Sequence, residues 1–315
     1  MATLTTDQHH QDNFSLYNAD CLDVLSAMPD NSVHFSIFSP PFVDLFCYSS
    51  SERDFGNATS YEAFFAEFFD RLTKQLARVV KPGRIVACHC IDIPAMKERD
   101  GFIGLKDFPG DIIRSFQQAG FIYHSRVTIW KDPLIEATRT KAIGLMHKQL
   151  CKDSTISRMG LPDYLLAFRM PGGNSEPVTH PDGLTEYHGA DDPGGAGEKR
   201  SHHIWRAYAS PVWMDIRQTN VLHHRDARDE KDEKHLCPLQ LDTIARSITL
   251  WINAGEVVFT PFMGVGSEVY QAVRMGRKGI GSELKPSYYR QAVKNVKTAE
   301  DIKQTEEMPL FAETI

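Results

Sequence analysis

What this chain has little of narrows it first. No apolar stretch approaches the roughly 18 residues that a membrane-spanning helix needs, so no span is expected. Cysteine is scarce: six scattered residues in 315 cannot staple a disulfide scaffold. Only Cys88 and Cys90 sit close together, as Cys-His-Cys in an apolar run, without zinc-knuckle spacing. The pairs His202-His203 and His223-His224 read as surface groups, and no metal site is expected. Positive charge is not in excess either, since 35 Lys and Arg stand against 41 Asp and Glu, a formal net charge of −6. That excludes a protein basic all over and leaves room for a local basic face. The first residues, with His9, His10, Gln11 and Asp12, do not resemble a signal peptide. A soluble protein of a reducing compartment, the cytoplasm, is the expectation.

What is present is ordinary for a folded chain: 42% hydrophobic and 24% charged residues can build a sizeable core. The length suits two domains, or one large α/β domain carrying an insertion. Three parts are legible. In the first, residues 14–130, the apolar run Val33 to Phe38 stops at Ser39-Pro40-Pro41-Phe42, because paired prolines end a strand and forbid a helix before them. Phe64, Phe65, Phe68, Leu72, Leu76 and Val79 then recur at helical spacing, and Lys81-Pro82-Gly83 closes that helix. Ile85 to Cys88 reads as a buried strand, Ile112 to Gln118 as a helix and Phe121 to Trp130 as a strand. This alternation predicts an α/β sheet.

The middle part, 131–235, breaks the rhythm. Between Pro171 and Glu198 lie seven glycines and four prolines with little to bury, so 171–198 reads as a mobile surface loop. Basic segments flank it. Residues 123–169 hold eight Lys or Arg against four acids, and 199–228 hold six against two, each a local +4. Trp205, Tyr208 and Trp213 are interleaved in the second segment. Two such stretches in an acidic chain predict a surface facing a polyanion. Its candidate contacts are Lys131, Arg139, Lys141, Lys148, Arg158, Lys199, Arg200, Arg206 and Arg217.

In the third part, 236–296, a helix from Leu239 to Trp251 leads to the strand Glu256 to Phe259 and the turn Thr260-Pro261-Phe262-Met263-Gly264-Val265-Gly266-Ser267. A helix follows to Met275, then the strand Ile280 to Glu283, a last helix after Pro286, and a charged tail over 297–315. Strand, glycine turn, helix and a strand tipped by an acid form a nucleotide-binding unit. The dinucleotide fingerprint wants a third glycine where Val269 stands. Its lack disfavours a pyrophosphate cradle and a nicotinamide dehydrogenase, and favours a nucleoside ligand such as S-adenosylmethionine.

Together these motifs resemble those of the beta-group DNA amino-methyltransferases. Ser39-Pro40-Pro41-Phe42 is similar to their catalytic tetrapeptide, (Asp/Asn/Ser)-Pro-Pro-(Tyr/Phe/Trp), and Asn18 to Leu25 resembles the segment before it. Thr260 to Ser267 resembles the cofactor motif Asp-Pro-Phe-x-Gly-x-Gly-(Ser/Thr), with Thr260 replacing the usual Asp, and His235 to Gln240 resembles its helix entry. The catalytic motif precedes the cofactor motif, which is the permuted order of that group. The resemblance implies a Rossmann-like methyltransferase sheet with an inserted target-recognition region. Double-stranded DNA is the implied substrate and S-adenosylmethionine the methyl donor; the resemblance leaves room for a cognate restriction nuclease and leaves the oligomeric state open.

The chemistry explains the residue types. An exocyclic base amine is a poor nucleophile, because its lone pair is delocalised into the ring. Acceptors aimed at the amine hydrogens favour a tetrahedral nitrogen, and the Ser39 hydroxyl and Pro40 carbonyl are suited to that role. Phe42 would stack on a base flipped out of the duplex. The resemblance further implies cofactor contacts from Asp20, His235, Pro238, Gln240, Thr260, Phe262, Gly264, Gly266 and Ser267, with Glu283 on the ribose. Asp20 reads equally as a helix N-cap before Leu22. Serine in first place leans toward cytosine N4 rather than adenine N6. Carbon-5 chemistry needs a cysteine nucleophile, commonly in Pro-Cys, and no Pro-Cys occurs. Outside this class, a non-catalytic DNA-binding protein that kept the fold would be consistent with Thr260, and an RNA amino-methyltransferase with base edges alone.

Overall fold

The computed structural model describes residues 6–43, 51–95, 97–140, 144–155, 157–227 and 238–307. In chain order its elements are β1 (Asp7–Gln11), β2 (Phe14–Asn18), α1 (Cys21–Ala27), β3 (Val33–Phe38), α2 (Tyr61–Ala63), α3 (Asp70–Val79), β4 (Val80–Cys90), β5 (Ile93–Ala95), α4 (Lys97–Asp100), β6 (Gly104–Lys106), α5 (Phe108–Gln118), β7 (Ile122–Ile129), α6 (Pro133–Thr140), α7 (His147–Leu150), β8 (Asp163–Arg169), α8 (Glu198–Tyr208), β9 (Val212–Trp213), α9 (Leu241–Trp251), β10 (Val257–Thr260), α10 (Ser267–Arg274), β11 (Lys278–Glu283) and α11 (Pro286–Glu307). Nine strands form one sheet in the order β1-β2-β11-β10-β3-β4-β8-β7-β9. β2, β11, β10, β3 and β4 run parallel, whereas β1, β8 and β7 pair antiparallel to their inner neighbours.

Side chains alternate across this sheet because successive Cβ atoms point to opposite faces. Val86 and Cys88 of β4, with Leu166 and Phe168 of β8, enter a core shared with Val24, Leu72, Leu76, Ile112 and Phe116 of α1, α3 and α5. Ile85 and Ala87, with Leu165 and Ala167, enter the opposite core beside Ile244 and Ile248 of α9. The chain leaves β3 toward β4 by way of α2 and α3, and leaves β10 toward β11 by way of α10. The adjacent pair β3 and β10 is therefore a topological switch point, where the carboxyl ends of an open α/β sheet leave a crevice.

The helix expected over Tyr61 to Val80 is present with a π-wound middle, Phe64–Phe69. The extra residue per turn crowds phenylalanines onto one side: Phe64, Phe65 and Phe69 all approach one another within 5.7 Å, ring centre to ring centre. The middle part contributes strands to the main sheet. β8 is inserted between β4 and β7 of the main sheet, because its unbroken apolar run, Leu165 to Phe168, is buried on both faces. The 171–198 stretch lacks helix and strand until its last residue, as expected, yet it is tied down. Glu176 pairs with Lys81 at 3.2 Å, His180 bonds the Thr249 carbonyl at 2.8 Å, and Tyr187 donates to Asp215. The charged tail also differs from its expectation, since α11 continues helically to Glu307.

Gly266 shows what a motif glycine does here. It is the N-cap of α10 at φ +91°, and a Cβ built on it meets the Cβ of Ala292 and Cγ2 of Val296 at 3.1 Å. The glycine lets α10 and α11 approach. Gly266→Ala is expected to destabilise the fold by about 1–3 kcal/mol, through left-handed strain and overpacking, as read by chemical unfolding.

Candidate active site

The switch point opens into a cavity of about 670 Å³, within the range of small-molecule sites. Ser39, Pro40, Pro41 and Phe42 reach its wall from the end of β3, and Phe262, Gly264 and Ser267 from the turn after β10. Asp20, Pro238, Gln240 and Glu283 line it too, as does Lys131, predicted instead as a polyanion contact. Segments some 220 residues apart in the chain thus share one chamber, because β3 and β10 are parallel neighbours.

On the catalytic side, Phe42 packs edge-on against Phe108, with centroids 6.2 Å apart. The Ser39 hydroxyl lies 3.3 Å from Nδ1 of His89, and Nε2 of His89 lies 3.3 Å from the Asp163 carboxylate. Lys131 pairs with the other oxygen of Asp163. Burial acts to raise the Asp163 pKa, but His89 and Lys131 hold the carboxyl below its ordinary value. With Asp163 ionised, its 3.3 Å ion-pair contact with Nε2 favours the Nε2–H tautomer of His89, although Nε2 makes no hydrogen bond among the described residues, and that tautomer leaves Nδ1 to accept the Ser39 hydroxyl proton. His89 has no place among the residues that the motifs point to. An apolar Cys-His-Cys run reads as core, and it is core for the two sulfurs; the period of two turns His89 alone to the other face of β4. That alternation is legible in the sequence, while Asp163 and its place on β8 are not.

On the cofactor side, Glu283 stands at the tip of β11. Its Oε2 accepts the Gly264 N–H at 3.0 Å and its Oε1 the Lys285 N–H at 2.8 Å. Burial pushes this carboxyl up to about 7. Asp20 is the N-cap of α1, accepting the Leu22 N–H at 2.8 Å, and it also faces the cavity with Arg53 3.4 Å away. Burial raises its pKa. Phe262 is wedged between Phe55 and Phe38, at 5.1 and 5.8 Å. Gln240 donates to Gln218 at 3.0 Å. Two expected cofactor residues do not reach the wall: Thr260 is fully buried beneath the turn, and Gly266 faces α11. His235 lies outside the described residues. A residue with no motif to announce it, Glu268, does reach the cavity.

The fit to S-adenosylmethionine rests on these donors and acceptors. A buried acid at a strand tip can take two ribose hydroxyls, and aromatic walls can take an adenine ring. The acid-lined chamber suits a cationic ligand.

The predicted polyanion contacts divide. Lys148, Lys199 and Arg206 are exposed, and the Trp205 indole is 60% exposed beside the latter two on α8. Lys131 is instead committed to Asp163, Arg158 to Glu136 at 3.5 Å, Arg200 to Asp192 at 2.8 Å, and Arg217 to buried Asp242 at 2.5 Å. Charge counting could not see these pairings: it counts Asp163 and Glu136 without showing which cations they meet, and Asp192 and Asp242 lie outside the counted segments. Arg139 lies on α6, and Lys141 lies outside the described residues. His34, Glu176 and Glu256 converge within 4.8 Å, but Arg84 already pairs with both carboxylates there. No helix among the described residues is long and apolar enough to cross a membrane.

Comparison with known proteins agrees with this geometry. The chain is 22% identical over 324 residues to the type II methyltransferase M.BglI of Bacillus subtilis, covering 90% of this chain and 86% of that one. It is 24% identical over 282 residues to M.BamHI of Bacillus amyloliquefaciens, covering 85% of this chain and 54% of that longer protein. Its fold is that of the cytosine-N4-specific PvuII DNA methyltransferase, with a TM-score of 0.63 at 15% identity over 95% of each chain. It is also that of TTHA0409 from Thermus thermophilus in complex with S-adenosyl-L-methionine, with a TM-score of 0.60 at 22% identity, over 89% of this chain and 93% of that one. A family model described as DNA methylase matches residues 33–294, which takes in Ser39 to Phe42, the glycine turn and Glu283 alike, and the chain therefore belongs to the S-adenosylmethionine-dependent DNA methylases that modify exocyclic amines at cytosine N4 or adenine N6.

Proposed function

We propose that this enzyme methylates N4 of cytosine, at a defined sequence in duplex DNA, on a base flipped into the cavity. The observation that carries the proposal is the Ser39 hydroxyl, set against Nδ1 of His89 at 3.3 Å. S-adenosylmethionine, when bound, supplies an electrophilic methyl group. Ser39 donates its own proton to His89, so both lone pairs of its oxygen face the cavity. They and the Pro40 carbonyl accept the amine hydrogens and favour the tetrahedral nitrogen that can attack. The proton released from the amine has a path through Ser39 to His89, whose charge Asp163 then balances. Phe42 supplies the stacking face, and closing the base into a cavity that excludes water supplies orientation. The exposed Lys148, Lys199 and Arg206 with Trp205 suit contacts to the DNA backbone.

The test is to incubate the enzyme with unmodified DNA and methyl-labelled S-adenosylmethionine, digest to nucleosides, and weigh the labelled product. 4-Methylcytosine is expected. Adenine N6 is the second reading, since the matching family takes in both amines, and labelled 6-methyladenine would establish it and overturn the argument from Ser39.

A further inference from the structure

Glu268 is an acid of the cavity wall that neither the catalytic nor the ribose role uses. It sits in the first turn of α10 and is only 3% exposed, yet it lines the cavity. Its Oε2 has no hydrogen-bond partner among the described residues. Burial pushes its pKa up to about 8; a hydrogen bond from its own backbone N–H acts against this, and the neighbouring carboxylate Glu283 adds to it. A buried carboxyl oxygen without a partner is costly, and native proteins satisfy nearly all such atoms. Glu268 lines the cavity, so a cation carrying N–H donors that binds there would satisfy that oxygen and favour the ionised form.

Thr260, eight residues earlier, stands where the resembled motif usually has Asp, and it is buried away from the wall. The carboxylate that the strand end lacks is supplied by the helix. Glu283, the acid that the resemblance assigns to the ribose, is held in place by the two backbone N–H groups it accepts. The two acids therefore divide a ligand that has a ribose at one end and an ammonium at the other. We propose that Glu268 receives the ammonium group of the cofactor's amino-acid arm. This rests on the cofactor being S-adenosylmethionine.

Other titratable groups face the same space. Glu283 and Lys285 come from the end of β11, Tyr288 from α11, where its ring lies 4.7 Å from the Lys285 amine, and His224 from the segment before α9. A carboxyl that holds its proton to about pH 8 must ionise to take an ammonium. Binding then releases a proton, and affinity rises as the pH climbs from about 6 toward 8.

Calorimetry on the full chain, in two buffers of different ionisation enthalpy, measures both quantities. The probes are S-adenosylhomocysteine, which has the amino-acid arm, and 5′-methylthioadenosine, which lacks it. Glu268→Gln is expected to weaken S-adenosylhomocysteine roughly 10- to 100-fold, the worth of a charge-assisted hydrogen bond, and to lower the protons released on binding. Methylthioadenosine should bind both forms within about twofold. Equal weakening of both probes would make Glu268 a structural residue and overturn the inference, as would unchanged S-adenosylhomocysteine binding. If the wild type binds neither probe, the cofactor assignment fails first and the inference with it. Thermal unfolding of the variant separates misfolding from either result, since removing an unpartnered buried charge should leave the fold at least as stable at about pH 8.

Discussion

Ser39→Ala is expected to lower kcat about 10²–10³-fold, the usual cost of deleting one preorganised polar contact to a developing charge. Binding of S-adenosylhomocysteine should change by less than about twofold, because the proposed function gives Ser39 to the base and the acids Glu283 and Glu268 to the cofactor. The loss arises in the chemical step: without the hydroxyl, the amine keeps one acceptor, the Pro40 carbonyl, and its proton loses the path to His89. Single-turnover kinetics at saturating DNA and cofactor measure this directly. A variant that retains more than a tenth of the wild-type rate would show that Ser39 is not the acceptor. Asp163→Asn is the companion, since it leaves the hydroxyl in place while removing the charge that fixes the His89 tautomer. It should lower the rate and move its pH profile, which a purely structural role for Asp163 would not do.

The largest stability effect is expected at Arg246. Its guanidinium is fully buried on α9, pairs with Asp215 at 2.5 Å, and lies 4.6 Å from the Tyr208 ring and 4.7 Å from the Trp213 ring. Tyr187 donates to the same Asp215. Removing one partner of a buried pair leaves the other charge uncompensated, and Arg246→Ala should cost about 3–5 kcal/mol. The guanidinium also fastens the 171–198 stretch, through Asp215 and Tyr187, to a core helix. Urea unfolding followed by tryptophan fluorescence reports the loss, because Trp213 is part of the cage. A cost below about 1 kcal/mol would mean that water enters and solvates Asp215 in the variant.

The elements whose periodicity is local are readable from the chain. β3 and its proline stop, the phenylalanine-rich helix, the glycine turn and β11 with its terminal acid all stand where their residues predict. Long-range pairing is not readable. β8 carries the same apolar run as any buried strand, but nothing nearby shows that it enters between β4 and β7, so residues 131–235 read as a unit apart. Arg158, Arg200 and Arg217 read as free positive charge because their acids approach only in three dimensions. His89 is visible in the alternation of β4, but its two cysteine neighbours make the whole run look like core. Glu268 has no periodic or motif signal, since an acid in the first turn of a helix is common at the surface; only its burial sets it apart.

The neighbours of β10 have a consequence for how the chain is made. β3 emerges from the ribosome early, but its partner β10 and the next strand, β11, are completed only at Glu283, 245 residues after Phe38. At ordinary elongation rates that gap lasts roughly 12–50 s. During it, the nascent chain carries one open flank of β3 and an unpaired side of β2, both apolar and both free to take a strand from elsewhere. The permuted order thus makes the last quarter of synthesis the moment of closure, and a ribosome stalled before it holds a half-sheet with an exposed, adhesive edge.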